Sequence, residues 1–295
     1  MDFRRLLSGQ RAQLFVFDVV SGESTLVIES DTLLFEAPNW TPDGRQLIVN
    51  GNGVLHTVPV KGGGTLEQIP IAGLPELNND HVLGPGGDLI HVSAEDGHMY
   101  AVDLVERTFR RVSNDHGPQF SHYLHGVSPD GAELAYIGLE SRADGSMRTN
   151  VFVLPSAGGD DVQLTDDDAP DDGCEYAPDG EWIHFNSERG STVPGHAQLF
   201  RMRRDGSDVQ QLTFDERVNW FPHVSPDGRR LVYLSFPPGT VGHPPDLTVR
   251  LRLLENGEIR DLVELPGGQG TINVASWAPD SRRFAYVAYP ISSIS

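Results

Sequence analysis

The chain has 295 residues, and 22 Lys and Arg against 42 Asp and Glu leave a formal net charge of −20. That balance argues against a nucleic-acid duplex or an anionic membrane as main partner, because neither finds a basic field to meet it. A hydrophobic content of 38% supports a core and excludes global disorder, and a single cysteine, Cys174, excludes an intramolecular disulfide or a multi-thiolate zinc cluster.

Residues 1–10 carry two arginines but no apolar run of the ~7–15 residues that a secretory signal needs. No later stretch approaches the ~18 apolar residues of a membrane helix, so no membrane insertion is expected. A cytoplasmic location follows, or a periplasmic one if a leader has been trimmed away. The first strands are predicted at residues 13–18 and 24–29, joined through a Ser21-Gly22 turn. Then one tetrapeptide recurs: Thr41-Pro42-Asp43-Gly44, Ser128-Pro129-Asp130-Gly131, Ala177-Pro178-Asp179-Gly180 and Ser225-Pro226-Asp227-Gly228. Ala278-Pro279-Asp280-Ser281 is a variant and Gly84-Pro85-Gly86-Gly87 a worn copy. Proline presets φ, Asp bonds back to the backbone and Gly takes positive φ, which is a recipe for a tight turn.

The six prolines stand 43, 44, 49, 48 and 53 residues apart. After each turn comes an apolar, β-rich run, such as Leu47-Ile48-Val49, Leu134-Ala135-Tyr136-Ile137 or Leu231-Val232-Tyr233-Leu234. Such runs read as strands covered on both faces. A third and a short fourth strand follow in each unit, and no useful helical periodicity occurs anywhere. Four antiparallel strands every ~45 residues is the pattern of a β-propeller blade. From Pro279 through the C-terminus and round to Pro42 is 58 residues, so the last blade is stitched from both chain ends. The expected fold is all-β: one six-bladed propeller domain over residues 1–295, four strands per blade, closed by the N-terminal strands.

The Pro-Asp-Gly turn, with an aromatic two residues before the proline (Trp40, Tyr176, Trp277), resembles the repeat of the TolB propeller family. So do the endings Val162-Gln163-Leu164-Thr165 and Val209-Gln210-Gln211-Leu212-Thr213. The resemblance covers nearly the whole chain and implies a six-bladed propeller. Neither a signal peptide nor the family's separate α/β domain is read ahead of the first strand. Related propellers serve hydrolases and lyases, but no Gly-x-Ser-x-Gly elbow is present here.

Function is expected on the face opposite the Pro-Asp-Gly turns, where loops enter each innermost strand. Four residues before the turn prolines stand Pro38, His81, His125, Cys174, Pro222 and Ala275. His81, His125 and Cys174 are therefore the candidate metal ligands, with a divalent metal in the central channel as the cofactor they would take. The alternative is that these side chains simply pack between blades. Six residues before the prolines stand Glu36, Asn79, Tyr123, Asp172, Trp220 and Asn273. Glu36, Asn79, His122, Tyr123, Asp172, Glu175, Trp220 and His223 are the candidate ligand-binding residues.

Residues 166–172 hold five carboxylates in seven positions, suited to calcium or to a solvated acidic loop. Loops 187–197 and 236–246 could wall the channel through Arg189, His196, Phe236 and His243, or pack over the rim. The expected function is a protein- or peptide-binding scaffold with an acidic, histidine-bearing channel mouth, as a monomer. The alternative is a metal-dependent enzyme of lyase or hydrolase type on a carbohydrate or small anionic substrate. Gln119-x-x-His122-x-x-His125 is distantly similar to the manganese site of oligogalacturonate lyases, though its spacing departs from theirs.

Overall fold

The structure is a computed structural model that describes residues 4–291. Residues 1–3 and 292–295 of the expected 1–295 domain lie outside the described residues. Strands β1 (Ala12–Asp18) and β2 (Glu23–Ser30) come first. Blade one is β3 (Glu36–Trp40), β4 (Gln46–Gly51), β5 (Val54–Pro59) and β6 (Glu67–Gln68). Blade two is β7 (Leu77–Leu83), β8 (Leu89–Ala94), β9 (Met99–Asp103) and β10 (Thr108–Arg111). Blade three is β11 (Phe120–Val127), β12 (Glu133–Ser141), β13 (Met147–Pro155) and β14 (Val162–Gln163). Blade four is β15 (Asp171–Tyr176), β16 (Trp182–Ser187), β17 (Gln198–Arg203) and β18 (Gln210–Gln211). Blade five is β19 (Val218–Val224), β20 (Arg230–Phe236), β21 (Leu247–Glu255) and β22 (Glu258–Gly267), and β23 (Arg283–Ala288) follows.

Each of these five blades is an antiparallel sheet in chain order, and the sixth has the order β2-β1-β23. The six-bladed propeller and its closure by the N-terminal strands are as the repeat predicts. β1 pairs with β23 from Gln13–Ala288 to Asp18–Arg283. Backbone bonds Arg11 N to Pro290 O and Val19 N to Arg282 O, 3.0 Å each, extend that seam. The innermost position of the sixth blade is filled by a single antiparallel bridge, Trp277 to Phe284.

The turn chemistry is visible atom by atom. Thr41 Oγ1 bonds Asp43 Oδ1 at 2.6 Å, and Asp43 Oδ1 accepts from Arg45 N at 3.0 Å. Ser128 with Asp130 and Ser225 with Asp227 repeat this arrangement. A Cβ placed on Gly87, at φ 81°, would stand 3.1 Å from the ring of Pro42 in the preceding blade. One blade's turn therefore rests on its neighbour's. The second strands are buried on both faces, as in Leu47–Asn50 and Leu134–Ile137. Core clusters form between blades: Ala135, Ile137 and Val151 of blade three pack with Cys174, Ile183 and Phe185 of blade four.

The innermost strands are not regular. Pairing is interrupted between Glu36 and Asn39, Leu77 and His81, Leu124 and Gly126, Asp172 and Glu175, and Trp220 and His223. Each bulge bends its strand and re-aims side chains next to the channel. Ala37 and Phe221 take φ of 55° and 54° there, and Gly173 takes 63°. In blade two the bulge comes earlier than in blade four, over Asn78–Asp80, so His81 pairs regularly with Val92 while Cys174 lies within its bulge.

Candidate functional site

The bulges open a cavity of about 360 Å³ at the channel mouth. Asn78, Asn79 and Asp80 enter it from β7, and Ser121, His122, Tyr123 and His125 from β11. Asp172 comes from β15, Phe221 from β19, and Gln269 and Asn273 from the segment before β23. Glu95 and His243 are loop contributions. The volume falls in the range of small-ligand sites.

His125 is the electrostatic centre. Its Nε2 stands 2.9 Å from Asp172 Oδ1 and its Nδ1 3.2 Å from the carbonyl of Asn273. Burial pulls its pKa down, but Asp80 and Asp172 overcome that and raise it to about 9. Asp172 is held below the usual carboxylate range: burial alone would raise it, but the bond to His125, the charges of His125 and His243 and the Gly173 N–H together overcome burial. Asp80 is pushed up to about 7, by burial first and then by Asp172 and Glu36, with His125 opposing. Asn78 Nδ2 donates to Asp80 Oδ2 at 3.1 Å, and Asn78 Oδ1 accepts from Asp80 N at 2.9 Å. His243 closes the other side, with Nε2 3.6 Å from Asp172 Oδ2 and its ring against Trp220 and Phe221. The mouth thus combines carboxylates, three imidazoles and aromatic faces.

Asn79, His122, Tyr123, Asp172 and His125 line this cavity, as do Asn273 and His243, which the channel-level counting and the proline loop had singled out. Glu36 lies in a neighbouring cavity of about 180 Å³ with Asn79. Arg4 Nη1 holds it at 3.1 Å, and the Arg4 guanidinium lies 4.2 Å over the Tyr289 ring. Glu175 Oε2 bonds His223 Nδ1 at 2.5 Å, and His223 Nε2 reaches the Ile272 carbonyl at 2.5 Å, so that pair is committed between blades. Trp220 packs behind Phe221 rather than on the cavity surface.

The expected metal trio does not converge. Among the described residues, one set of three His, Cys, Asp or Glu donors has its ligand atoms within 4.8 Å of one another, and it is His116, His122 and Asp161. His81 is fully buried, and burial pushes its pKa down to about 4. Burial and then Asp172 raise the Cys174 thiol, which keeps it protonated. The unequal bulges are the cause, since equal offsets from the prolines do not give equal directions toward the channel. The acidic run 166–172 also disperses. Asp168 pairs with Arg142, Asp166 with Arg148, and Asp171 with Arg189. Of the predicted loop wall, only His243 reaches the mouth; Phe236 is fully buried, and His196 bonds Ser191 and the Asp215 carbonyl.

Sequence reasoning missed Asp80, Glu95, Phe221 and Gln269. Asp80 had a signal in the Asn78-Asn79-Asp80 run, but only the longer bulge turns it inward.

Among the described residues, no helix is long and apolar enough to cross a membrane. The uncharacterized protein Atu1656 of Agrobacterium fabrum is 34% identical over 285 residues, 95% of this chain and 92% of that protein. The solved structure of a TolB candidate from Agrobacterium tumefaciens superposes with a TM-score of 0.85 at 34% identity, covering 95% of this chain and 99% of that one. An oligogalacturonate lyase in complex with manganese shares the fold alone, with a TM-score of 0.59 at 15% identity over 90% of this chain and 75% of that one. The family model of the TolB beta propeller domain matches residues 86–242. With more than half the chain matched by that model, and one third of its residues shared with a relative along nearly its full length, the protein belongs to the TolB beta propeller domain family.

Proposed function

We propose that this propeller is a binding scaffold whose channel mouth takes a protein or peptide partner through a basic segment. The observation that carries the reading is the wall of the mouth cavity, where Asp80, Glu95 and Asp172 stand beside Tyr123 and Phe221. Carboxylates in a partly enclosed site focus a negative potential, and aromatic faces accept cations. The chain's net charge of −20 steers the same kind of partner. An anionic sugar would meet these carboxylates instead, so the lyase alternative is the less favoured.

Labelled basic and acidic peptides should be titrated into the protein by fluorescence anisotropy. Basic peptides should bind preferentially, and more weakly as salt screens the charges over ~10 Å at 0.1 M. Asp80 ionises as pH rises through about 7, so affinity should strengthen from pH 6 to 8. The double substitution Asp80→Asn and Asp172→Asn should reduce it at least tenfold, two charge contacts at ~1 kcal/mol or more each. Equal binding of acidic and basic peptides, or no change in the variant, would overturn the proposal.

A further inference from the structure

A second cluster lies between blades two and three, against the outer side of His122 and apart from the carboxylates of the mouth. His122 stands on β11, and both its backbone N and its Nδ1 approach the carbonyl of Gly97, at 3.1 and 2.6 Å. A carbonyl only accepts, so Nδ1 carries the proton and Nε2 keeps its lone pair. That Nε2 is buried, in a side chain only 2% exposed, and has no hydrogen-bond partner among the described residues. An orphaned buried nitrogen calls for an explanation.

The neighbours supply one. His116 lies in the connection from β10 to β11, and its Nε2 is 2.7 Å from Asp161 Oδ2. The same oxygen accepts from Tyr136 Oη at 2.6 Å. The donor atoms of His116, His122 and Asp161 all lie within 4.8 Å of one another. Phe120 packs on both imidazoles, at 4.6 and 4.9 Å between ring centres, and so restricts their rotation. His98 is also near, but its Nδ1 bonds Ser113 Oγ and its Nε2 faces Arg111 Nη1, so both its nitrogens are committed.

We propose that His116, His122 and Asp161 form a binding site for zinc or a similar late first-row divalent cation. Two imidazole nitrogens and one carboxylate oxygen suit such ions, whereas calcium and magnesium want oxygen throughout. The Nδ1–H to carbonyl bond of His122 is the outer-shell contact that orients a metal-ligating histidine, and Tyr136 does the same for Asp161. Ligation needs the lone pair of His116 Nε2: an imidazolium releases its Nε2 proton to solvent, and a neutral ring carries its proton on Nδ1 instead. The His116–Asp161 pair must open by roughly half an ångström to admit bonds of ~2.0–2.1 Å at tetrahedral angles. His116 lies at the exposed rim and can yield, and its exposure leaves a fourth position for water. The ion would join the blade-two connection to the outer edge of blade three.

The test uses the full chain freed of metal by chelation. Zinc is titrated by calorimetry, and cobalt(II) is added as a spectroscopic probe. One equivalent should bind, and cobalt should show the visible bands of a tetrahedral nitrogen and oxygen site. His116→Ala and Asp161→Asn should each weaken zinc at least ~100-fold, beyond the 10–100-fold expected for outer-shell partners. Asp172→Asn and His243→Ala at the mouth should leave it unchanged. Thermal melts of the metal-free variants check folding, and His116→Gln replaces His116→Ala should the latter melt early. No saturable zinc or cobalt binding by the wild type, or unchanged affinity in both cluster variants, would overturn the site. Basic-peptide binding is measured separately, so either proposal can fail without the other.

Discussion

His125 and Asp80 each shift the other's titration in the buried mouth, and that titration reaches the stability of the whole fold. In the unfolded chain a histidine titrates near ~6.5 and an aspartate near ~3.9. In the folded protein His125 holds its proton to about 9 and Asp80 to about 7. The folded state therefore keeps protons that the unfolded chain has released, and stability falls as pH rises. Asp80 contributes this loss between ~4 and 7, and His125 between ~6.5 and 9. Asp172→Asn removes a charge that raises both groups. Its loss of stability between pH 7 and 9 should then be smaller than the wild type's by about 1–2 kcal/mol. Denaturant melts at the two pH values measure the difference, and equal losses would remove Asp172 as the cause.

At the scale of the element, the Pro-Asp-Gly turn does two jobs. It reverses the chain, and it seats one blade on the next. Gly87 illustrates both, with φ at 81° and the Pro42 ring 3.1 Å from where a Cβ would stand. Gly87→Ala should destabilise by about 1–2 kcal/mol from the backbone strain alone, with the contact adding to it. An unchanged urea midpoint would show that the turn relaxes freely. The innermost strands behave differently. Their bulges break the regular alternation that side-chain counting assumes, and they place Asp80 and Phe221 in the mouth while leaving Cys174 in the core.

Across the whole molecule, stability depends on closing the ring. β1 is the middle strand of the sixth blade, paired on one side with β2 and on the other with β23. Phe17, Phe284 and Trp277 share a core cluster with Val232 and Leu251 of blade five, so the seam is continuous with the core. Deleting residues 1–30 should uncover β23 as an open edge, a template for pairing with another chain. Light scattering and size-exclusion chromatography should then show aggregation and a lowered melting temperature. A truncated protein that stays monomeric and melts as before would contradict closure as the source of stability.

The sequence by itself determined the blade count, the four-strand unit, the turn positions and the stitching of the last blade from both chain ends. Those features are written in local residue types, such as Pro42-Asp43-Gly44, and in their spacing, which survives folding unchanged. It also pointed to the face that carries the mouth cavity, because residues six before each proline include Asn79, Tyr123, Asp172 and Asn273, all on its wall. Only the tertiary structure decided which side chains meet. His81, His125 and Cys174 share an offset but not a direction, since the bulge in blade two falls earlier than the one in blade four. His116 and Asp161 stand 45 residues apart and meet at 2.7 Å. No periodicity announces such a meeting, because it depends on how two blades pack and where their connecting loops run.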